Sequence, residues 1–186
     1  MTDQSIIDRI LAGDRQAFGL LVASYEGKAM SLALRMVRNE NEARDVVQDA
    51  FVKAYTSLAQ FRRSSAFSTW FYRIVYTTCL NSLNRSRRGP ELVSLDDDVH
   101  AAWIETTMFD EVDSTQLETV IREELDRMPP LYAVAMELFY ARDCSYEQIC
   151  QITGMPVGTV KTRLNRGRKL LRAAMAKRFP DLEITQ

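Results

Sequence analysis

The chain has 186 residues, 46% of them apolar and 26% charged, with a formal net charge of −1. That balance belongs to a folded protein and excludes general disorder. No apolar run approaches the ~20 residues of a membrane-spanning helix. The first residues lack a basic segment followed by an apolar one, so no secretory signal is read. Three scattered cysteines, Cys79, Cys144 and Cys150, exclude a disulfide framework. His100 is the only histidine, so neither a metal nor a cofactor is expected. A cytoplasmic protein with reduced thiols is the reading. The small net charge hides a segregation. Residues 1–90 carry 13 Lys and Arg against 8 acids, residues 91–118 none against 9, and residues 119–186 11 against 8. Two basic blocks flank an acidic strap, and basic blocks meet polyanions or stand as solvated surface.

With 7 Gly and 5 Pro and little β-branched alternation, the apolar spacing predicts helices almost throughout, an all-α chain. A short helix is predicted over Asp3–Leu11, ended by Gly13. A long one follows over 14–37, on Ala17, Leu20, Leu21, Tyr25, Leu32 and Met36. Asn41 is expected to cap a third helix over 42–58, with Ala43, Val46, Val47, Ala50, Phe51, Ala54 and Leu58 on its inner face. After a polar loop at 62–65, a fourth helix covers 67–85. Residues 85–90 read as a domain boundary and 91–118 as a flexible acidic tether, with one helical turn near Trp103. A second helical block starts near 114–119, is interrupted at Pro129-Pro130 and resumes over 131–140. Ser145-Tyr-Glu-Gln148 is a capping box opening a helix to Ile152. Thr153-Gly-Met155 is a tight turn, and Pro156 begins a long basic helix toward Arg178. The organisation is two small helical domains, 1–90 and 119–186, joined by 91–118.

Helix 145–152, the turn with Gly154 and helix 156–178 form a helix-turn-helix, whose second helix fits the major groove. Val160, Leu164, Gly167, Leu171 and Ala174 fall on one stripe that packs inward. Lys161, Thr162, Asn165, Arg166 and Lys169 fall opposite and carry donors suited to base edges and phosphates. Arg163, Arg168 and Arg172 flank them, where backbone contacts are expected. In the first block, Asp45, Gln48 and Asp49 project together at i, i+3, i+4, either as a solvated flank or as a docking face for a partner with basic and polar groups. In the fourth helix, Phe67, Trp70, Phe71 and Ile74 suit the core, while Tyr72 and Tyr76 beside Arg73 are placed nearer solvent. Aromatics beside arginine make stacking platforms for unpaired bases. The loop before them, Phe61, Arg62, Arg63, Ser64 and Ser65, is basic and hydroxyl-rich and suits a base drawn out of the duplex. The rival reading is an aromatic core under a solvated loop. No catalytic arrangement is present, so the chain is not read as an enzyme.

These segments resemble bacterial sigma factors of the extracytoplasmic-function class. Asp45-Val-Val-Gln-Asp-Ala-Phe-Val-Lys-Ala-Tyr55 is similar to the segment that grips the clamp helices of RNA polymerase. Phe67-Ser-Thr-Trp-Phe-Tyr-Arg-Ile74 is similar to the promoter-melting helix. Leu125-Asp-Arg-Met-Pro129, Ser145-Tyr-Glu-Gln-Ile149 and Pro156-Val-Gly-Thr-Val-Lys-Thr-Arg-Leu164 are similar to the carboxy-terminal domain. The resemblance implies that Asp45, Gln48, Asp49, Phe51 and Tyr55 contact core RNA polymerase. It implies that loop 61–67 and helix 67–85 read and open the minus-ten element. The minus-thirty-five element then falls to helix 156–172, through Thr159, Lys161, Thr162, Arg163 and Arg166. It also implies promoter DNA as a second partner and an anti-sigma factor as a third. Thr77 and Asn81 depart from the Asn and Asp the family often has there. The 28-residue tether reaches at most ~90–100 Å at ~3.3–3.6 Å per residue, enough for two elements ~25 base pairs, or ~85 Å, apart. Its nine acids imitate nucleic acid, which suggests a strap threaded through a basic polymerase channel. Two other readings remain: a helix-turn-helix regulator that binds duplex DNA without polymerase, and a sigma-like decoy that titrates an anti-sigma factor.

Overall fold

The computed structural model describes residues 1–85 and 114–179, and every regular element among them is helical. Most of the acidic tether, the boundary after Arg85, His100 and the turn expected near Trp103 lie outside the described residues.

The first bundle begins with α1 (Asp3–Leu11), capped by Thr2, whose hydroxyl oxygen accepts the Ser5 amide at 3.3 Å. Ile6, Ile7 and Ile10 form its buried stripe. Gly13 turns the chain at φ +106°, a backbone region open to glycine. Asp14 then caps a single 3₁₀ turn, Arg15–Ala17, accepting from the Ala17 amide at 3.2 Å. The long helix expected from residue 14 therefore starts four residues later, as α2 (Phe18–Val37). Arg38, left-handed at φ 56°, ends it by returning its amide to Leu34 O at 3.0 Å. With the turn already made, Asn39 rather than Asn41 becomes the first extended residue. Its side chain accepts the Glu42 amide at 3.0 Å and caps α3 (Glu40–Ser57). Glu40 and Glu42 in the first turn suit the positive end of the helix dipole. A 3₁₀ turn, Leu58–Gln60, and a loop lead to α4 (Phe67–Arg85).

α2, α3 and α4 pack on one another. Ala29 and Ala33 of α2 and Ala43, Ala50 and Ala54 of α3 are fully buried small residues that let the helices approach closely. The remaining volume is filled by Phe71, whose ring lies 4.7 Å from Phe51, 5.6 Å from Tyr25 and 5.9 Å from Phe67. Each such ring pair contributes ~0.5–1.5 kcal/mol beyond the area it buries. The Tyr25 hydroxyl donates to Asp3, fastening α1 to α2. Burial and that carboxylate hold the Tyr25 phenol above its ordinary range.

The second unit comprises α5 (Ser114–Arg127), α6 (Pro130–Met136), a π-helical turn (Glu137–Ala141), α7 (Tyr146–Thr153) and α8 (Val157–Arg178). Pro130 stands at the first helical position, where its fixed φ and missing amide cost nothing. The helix expected over 131–140 widens into the π turn at Glu137. The capping box closes both ways: the Gln148 amide donates to Ser145 Oγ at 3.2 Å, and the Ser145 amide to Gln148 Oε1 at 2.7 Å. Gly154, left-handed at φ 74°, ends α7. Val160, Leu164 and Gly167 of α8 pack inward as expected, while Met175 rather than Ala174 takes the last buried place.

The two units meet. α6 lies against α2, and α7 runs along α4. At the centre stands Glu137, 3% exposed. It accepts from Ser31 Oγ at 2.8 Å, pairs with Arg35 Nε at 3.5 Å and accepts from Arg142. Arg35 also pairs with Asp126, and Arg38 donates to the Met128 carbonyl. A buried carboxylate persists only when paired and hydrogen-bonded, and stripping one partner from such a group typically costs ~3–5 kcal/mol.

Candidate nucleic-acid and protein-docking interfaces

The outer face of α3 follows from its inner one. With Ala43, Val46, Val47, Ala50 and Ala54 buried, helical spacing turns Asp45, Gln48 and Asp49 outward, and all three are exposed. Tyr55 continues the face, 39% exposed, with its ring edge-on to Phe18 at 5.0 Å. Phe51 lies on the inner face, as its spacing predicts, beneath the contact that the resemblance implies for it. It is 9% exposed, packed on Phe71 and 6.3 Å from Phe18, and so supports the face from below. Val52 was missed. It is 57% exposed, one turn beyond Gln48 and Asp49. The signal was present, because Val52 falls off the inner stripe defined by Phe51 and Ala54. The face is thus two carboxylates and an amide above an exposed valine and tyrosine, shaped for a basic partner with apolar ground.

The loop ahead of α4 exposes Arg62, Arg63 and Ser64, with Ser65 half-buried. Arg63 adopts φ 56° and pairs with Asp8 of α1. Phe61 lies 5.1 Å from Trp70 and 6.0 Å from Phe67, so the loop rests on an aromatic step. Phe61 and Trp70 are half-buried, and Phe67 is in the core. Arg73 is exposed. Tyr72 and Tyr76 reverse the expectation that they lie nearer solvent. They are 3% and 8% exposed, on the face of α4 that the second unit covers. Burial pushes the Tyr72 phenol up to about 12, with Arg142, Cys144 and Glu137 within electrostatic reach. Burial raises Tyr76 as well, opposed by the nearby Arg163 charge.

On α8, Lys161 and Lys169 are exposed, and Thr159, Thr162, Asn165 and Arg166 are half-exposed along the same side. The Thr162 hydroxyl donates to Gly158 O at 3.0 Å. Lys161 Nζ sits 5.9 Å from the Tyr146 ring, and Arg168 lies over Phe139 at the same distance. Arg163 turns to the first unit instead of to a flank. It is half-buried beside Tyr76 and Tyr132, and burial lowers its pKa. Val157, at the entering end of α8, is 47% exposed and was not singled out by the sequence. Among the described residues no group of three or more His, Cys, Asp or Glu is placed to hold a metal, and no helix is long and apolar enough to cross a membrane.

Comparison with known proteins places both units. Residues 21–89 match the family described as Sigma-70 region 2, and residues 119–171 match Sigma-70, region 4. The chain is 37% identical over 178 residues to the ECF RNA polymerase sigma-E factor of Haemophilus influenzae, covering 92% of this chain and 94% of the relative. It is 36% identical over 185 residues to the RNA polymerase sigma-H factor of Pseudomonas aeruginosa, covering 93% of each. In fold it resembles CnrH, solved in complex with the cytosolic domain of CnrY, with a TM-score of 0.63 at 22% identity over 94% of this chain and 97% of that one. It also resembles the sigma factor RpoE of Bartonella quintana, solved with the anti-sigma factor NepR, with a TM-score of 0.62 at 20% identity over 85% and 96%. Two sigma modules in chain order, and whole-length relatives at this identity, make the chain a member of the sigma-70 family, in the extracytoplasmic-function class.

Proposed function

We propose that this chain binds core RNA polymerase in the cytoplasm, directs it to promoters and assists strand opening, the polymerase supplying the chemistry. The observation that carries the reading is the pairing, in one chain, of an outward acid–amide face on α3 with a basic helix-turn-helix. A duplex-binding regulator needs only the second. Asp45, Gln48, Asp49, Val52 and Tyr55 form the polymerase contact, with Phe51 holding them in register. The first domain, 1–90, takes the minus-ten element. Arg62, Arg63, Ser64, Ser65 and Arg73 meet its backbone and bases, and Phe61, Phe67 and Trp70 form the step on which an unpaired base stacks. Tyr72 and Tyr76 join them once the second domain is displaced. The domain 119–186 takes the minus-thirty-five element through Thr159, Lys161, Thr162, Arg163, Asn165, Arg166 and Lys169. Val157 offers its methyls to the thymine methyl in the major groove. An anti-sigma factor that covers these surfaces fits the same reading; the structural neighbour from Bartonella quintana was solved in complex with one.

Run-off transcription tests it. The purified chain is added to core polymerase and genomic fragments. Discrete transcripts that start only when the chain is present are the expected result. Retention of DNA without retention of core favours the regulator, and binding of an anti-sigma factor without transcription favours the decoy.

A further inference from the structure

We propose that Gln4 and Asp8 of α1 are positioning residues for the minus-ten loop. Acting through Arg63, they fix the loop in the shape that receives an unpaired base, and so tune downstream recognition without meeting DNA themselves. The inference rests on the preceding reading of residues 61–65 as a minus-ten contact.

The geometry starts in the loop. Phe61 settles its entry on Phe67 and Trp70. Two residues on, Arg63 takes φ 56°, a left-handed conformation that a residue with a Cβ adopts only against a steric penalty. Nothing in the residue type favours it, so the surroundings must hold it. They do so from α1. Asp8 pairs with Arg63, and the Gln4 amide oxygen accepts from Arg63 Nη1 at 2.7 Å and Nε at 3.0 Å. Gln4 and Asp8 stand at i, i+4 and therefore share one face of the helix. α1 also packs against the 3₁₀ turn Leu58–Gln60 that leads into the loop. One helix thus reaches the loop at its root and at its bend.

α1 can bear this because it is itself fixed. Ile6, Ile7 and Ile10 are buried, Thr2 caps its first turn, and Asp3 accepts from the buried Tyr25. The grip on Arg63 is nonetheless light. The Arg63 side chain is 46% and that of Asp8 55% exposed, and an exposed ion pair adds little to global stability. An arginine has five N–H donors, more than one carboxylate oxygen and one amide oxygen engage, so the guanidinium keeps donors for a phosphate or a base. Such an arrangement selects a loop conformation and leaves the contact surface of the loop open. Without it, only a fraction of chains hold the receiving shape, and the apparent affinity for the opened element falls with that fraction.

The test uses the full chain, free and with core polymerase. The variants are Gln4→Ala with Asp8→Ala, the conservative Asp8→Glu, Arg63→Ala, and the triple variant. All four positions of melting are expected to match the wild type by circular dichroism, because the substituted side chains are exposed. Limited trypsin digestion of the free chain, read by mass spectrometry, is expected to cut after Arg62 or Arg63 roughly two- to fivefold faster in the double variant, the population shift that an exposed ion pair can hold. Asp8→Glu is expected to stay near the wild type. On a promoter fragment that yields a run-off transcript, strand opening, read by permanganate reactivity of unpaired thymines, is expected to fall by the same factor. In the Arg63→Ala background, removing Gln4 and Asp8 is expected to change opening no further, which a general loss of α1 packing would not produce. Unchanged digestion overturns the hold on the loop. Faster digestion with unchanged opening overturns the positioning role, and a gain in opening overturns it too, by making Asp8 a competitor of DNA for Arg63. Equal losses with and without Arg63 overturn action through that residue. Absence of any wild-type transcript at saturating core overturns the proposed function instead, and digestion then judges the hold on the loop by itself.

Discussion

A Cβ on Gly167 would stand 2.7 Å from Met136 Cγ and 3.0 Å from its sulfur. α8 crosses α6 at a point where only a hydrogen fits, and both Met136 and Met128 are buried there. Gly167→Leu is expected to overpack this seam and destabilise the second domain by ~1–3 kcal/mol. Thermal unfolding of the full chain reads it, as a lower melting temperature with the helix content of the first domain retained.

The α3 face makes a prediction about polymerase. Asp45→Lys with Gln48→Ala reverses one charge and removes an amide, at two exposed positions that carry no core packing. Affinity for core, measured by competition with a reference sigma factor, is expected to fall roughly tenfold or more, because like charges brought together at an interface cost several kcal/mol. Val52→Ser should weaken the same competition with no change in charge. Phe51→Ala should act through stability, since its ring belongs to the Phe71 cluster.

Arg166 lies half-exposed on the outward side of α8. Arg166→Ala is expected to cost ~1–3 kcal/mol at one base pair of the upstream element and to relax preference there. Binding to a set of single-substituted promoter duplexes at fixed salt measures it. A uniform loss across all sequences would assign Arg166 to phosphate instead.

Alkaline stability follows from burial. Desolvation pushes the thiol of Cys79 up to about 12, that of Cys144 up to about 11 and the Tyr72 phenol up to about 12. In the unfolded chain these groups ionise nearer ~8.5 and ~10. A group whose pKa is raised by folding contributes its full stability below the unfolded value and loses it as pH rises toward the folded one. The chain should therefore lose stability between about pH 9 and 12, with tyrosinate absorbance rising together with the loss of helical signal. At pH 8, iodoacetamide followed by mass spectrometry should modify half-exposed Cys150 ahead of buried Cys79 and Cys144.

Local chemistry was legible wherever it decided the outcome. The Ser145–Gln148 box, Gly154 and the inward stripe of α8 are short-range facts of residue type and spacing. So is the outward turn of Asp45, Gln48 and Asp49, although the same periodicity buries Phe51 between two rings. Elsewhere the sequence offered near-equivalent choices. Asn39 and Asn41 are both competent caps, and Arg38 in a left-handed turn selects the first. Tyr72 and Tyr76 are buried on α4 near groups of the second unit, Arg142 and Cys144 by Tyr72 and Arg163 by Tyr76, which no pattern within α4 announces. Ser31 and Glu137 are separated by 106 positions, and no local pattern joins them.

The match to the sigma region 2 family begins at residue 21, yet the loop proposed to face DNA is moored further upstream. Arg63 is held by Asp8, and Gln4 lies within 3.1 Å of the same guanidinium. α1 itself is tied down through Asp3 and Tyr25. The amino-terminal helix is thus a buttress for the proposed strand-capturing loop, and the unit that would work at the downstream element is larger than the stretch by which its ancestry is recognised.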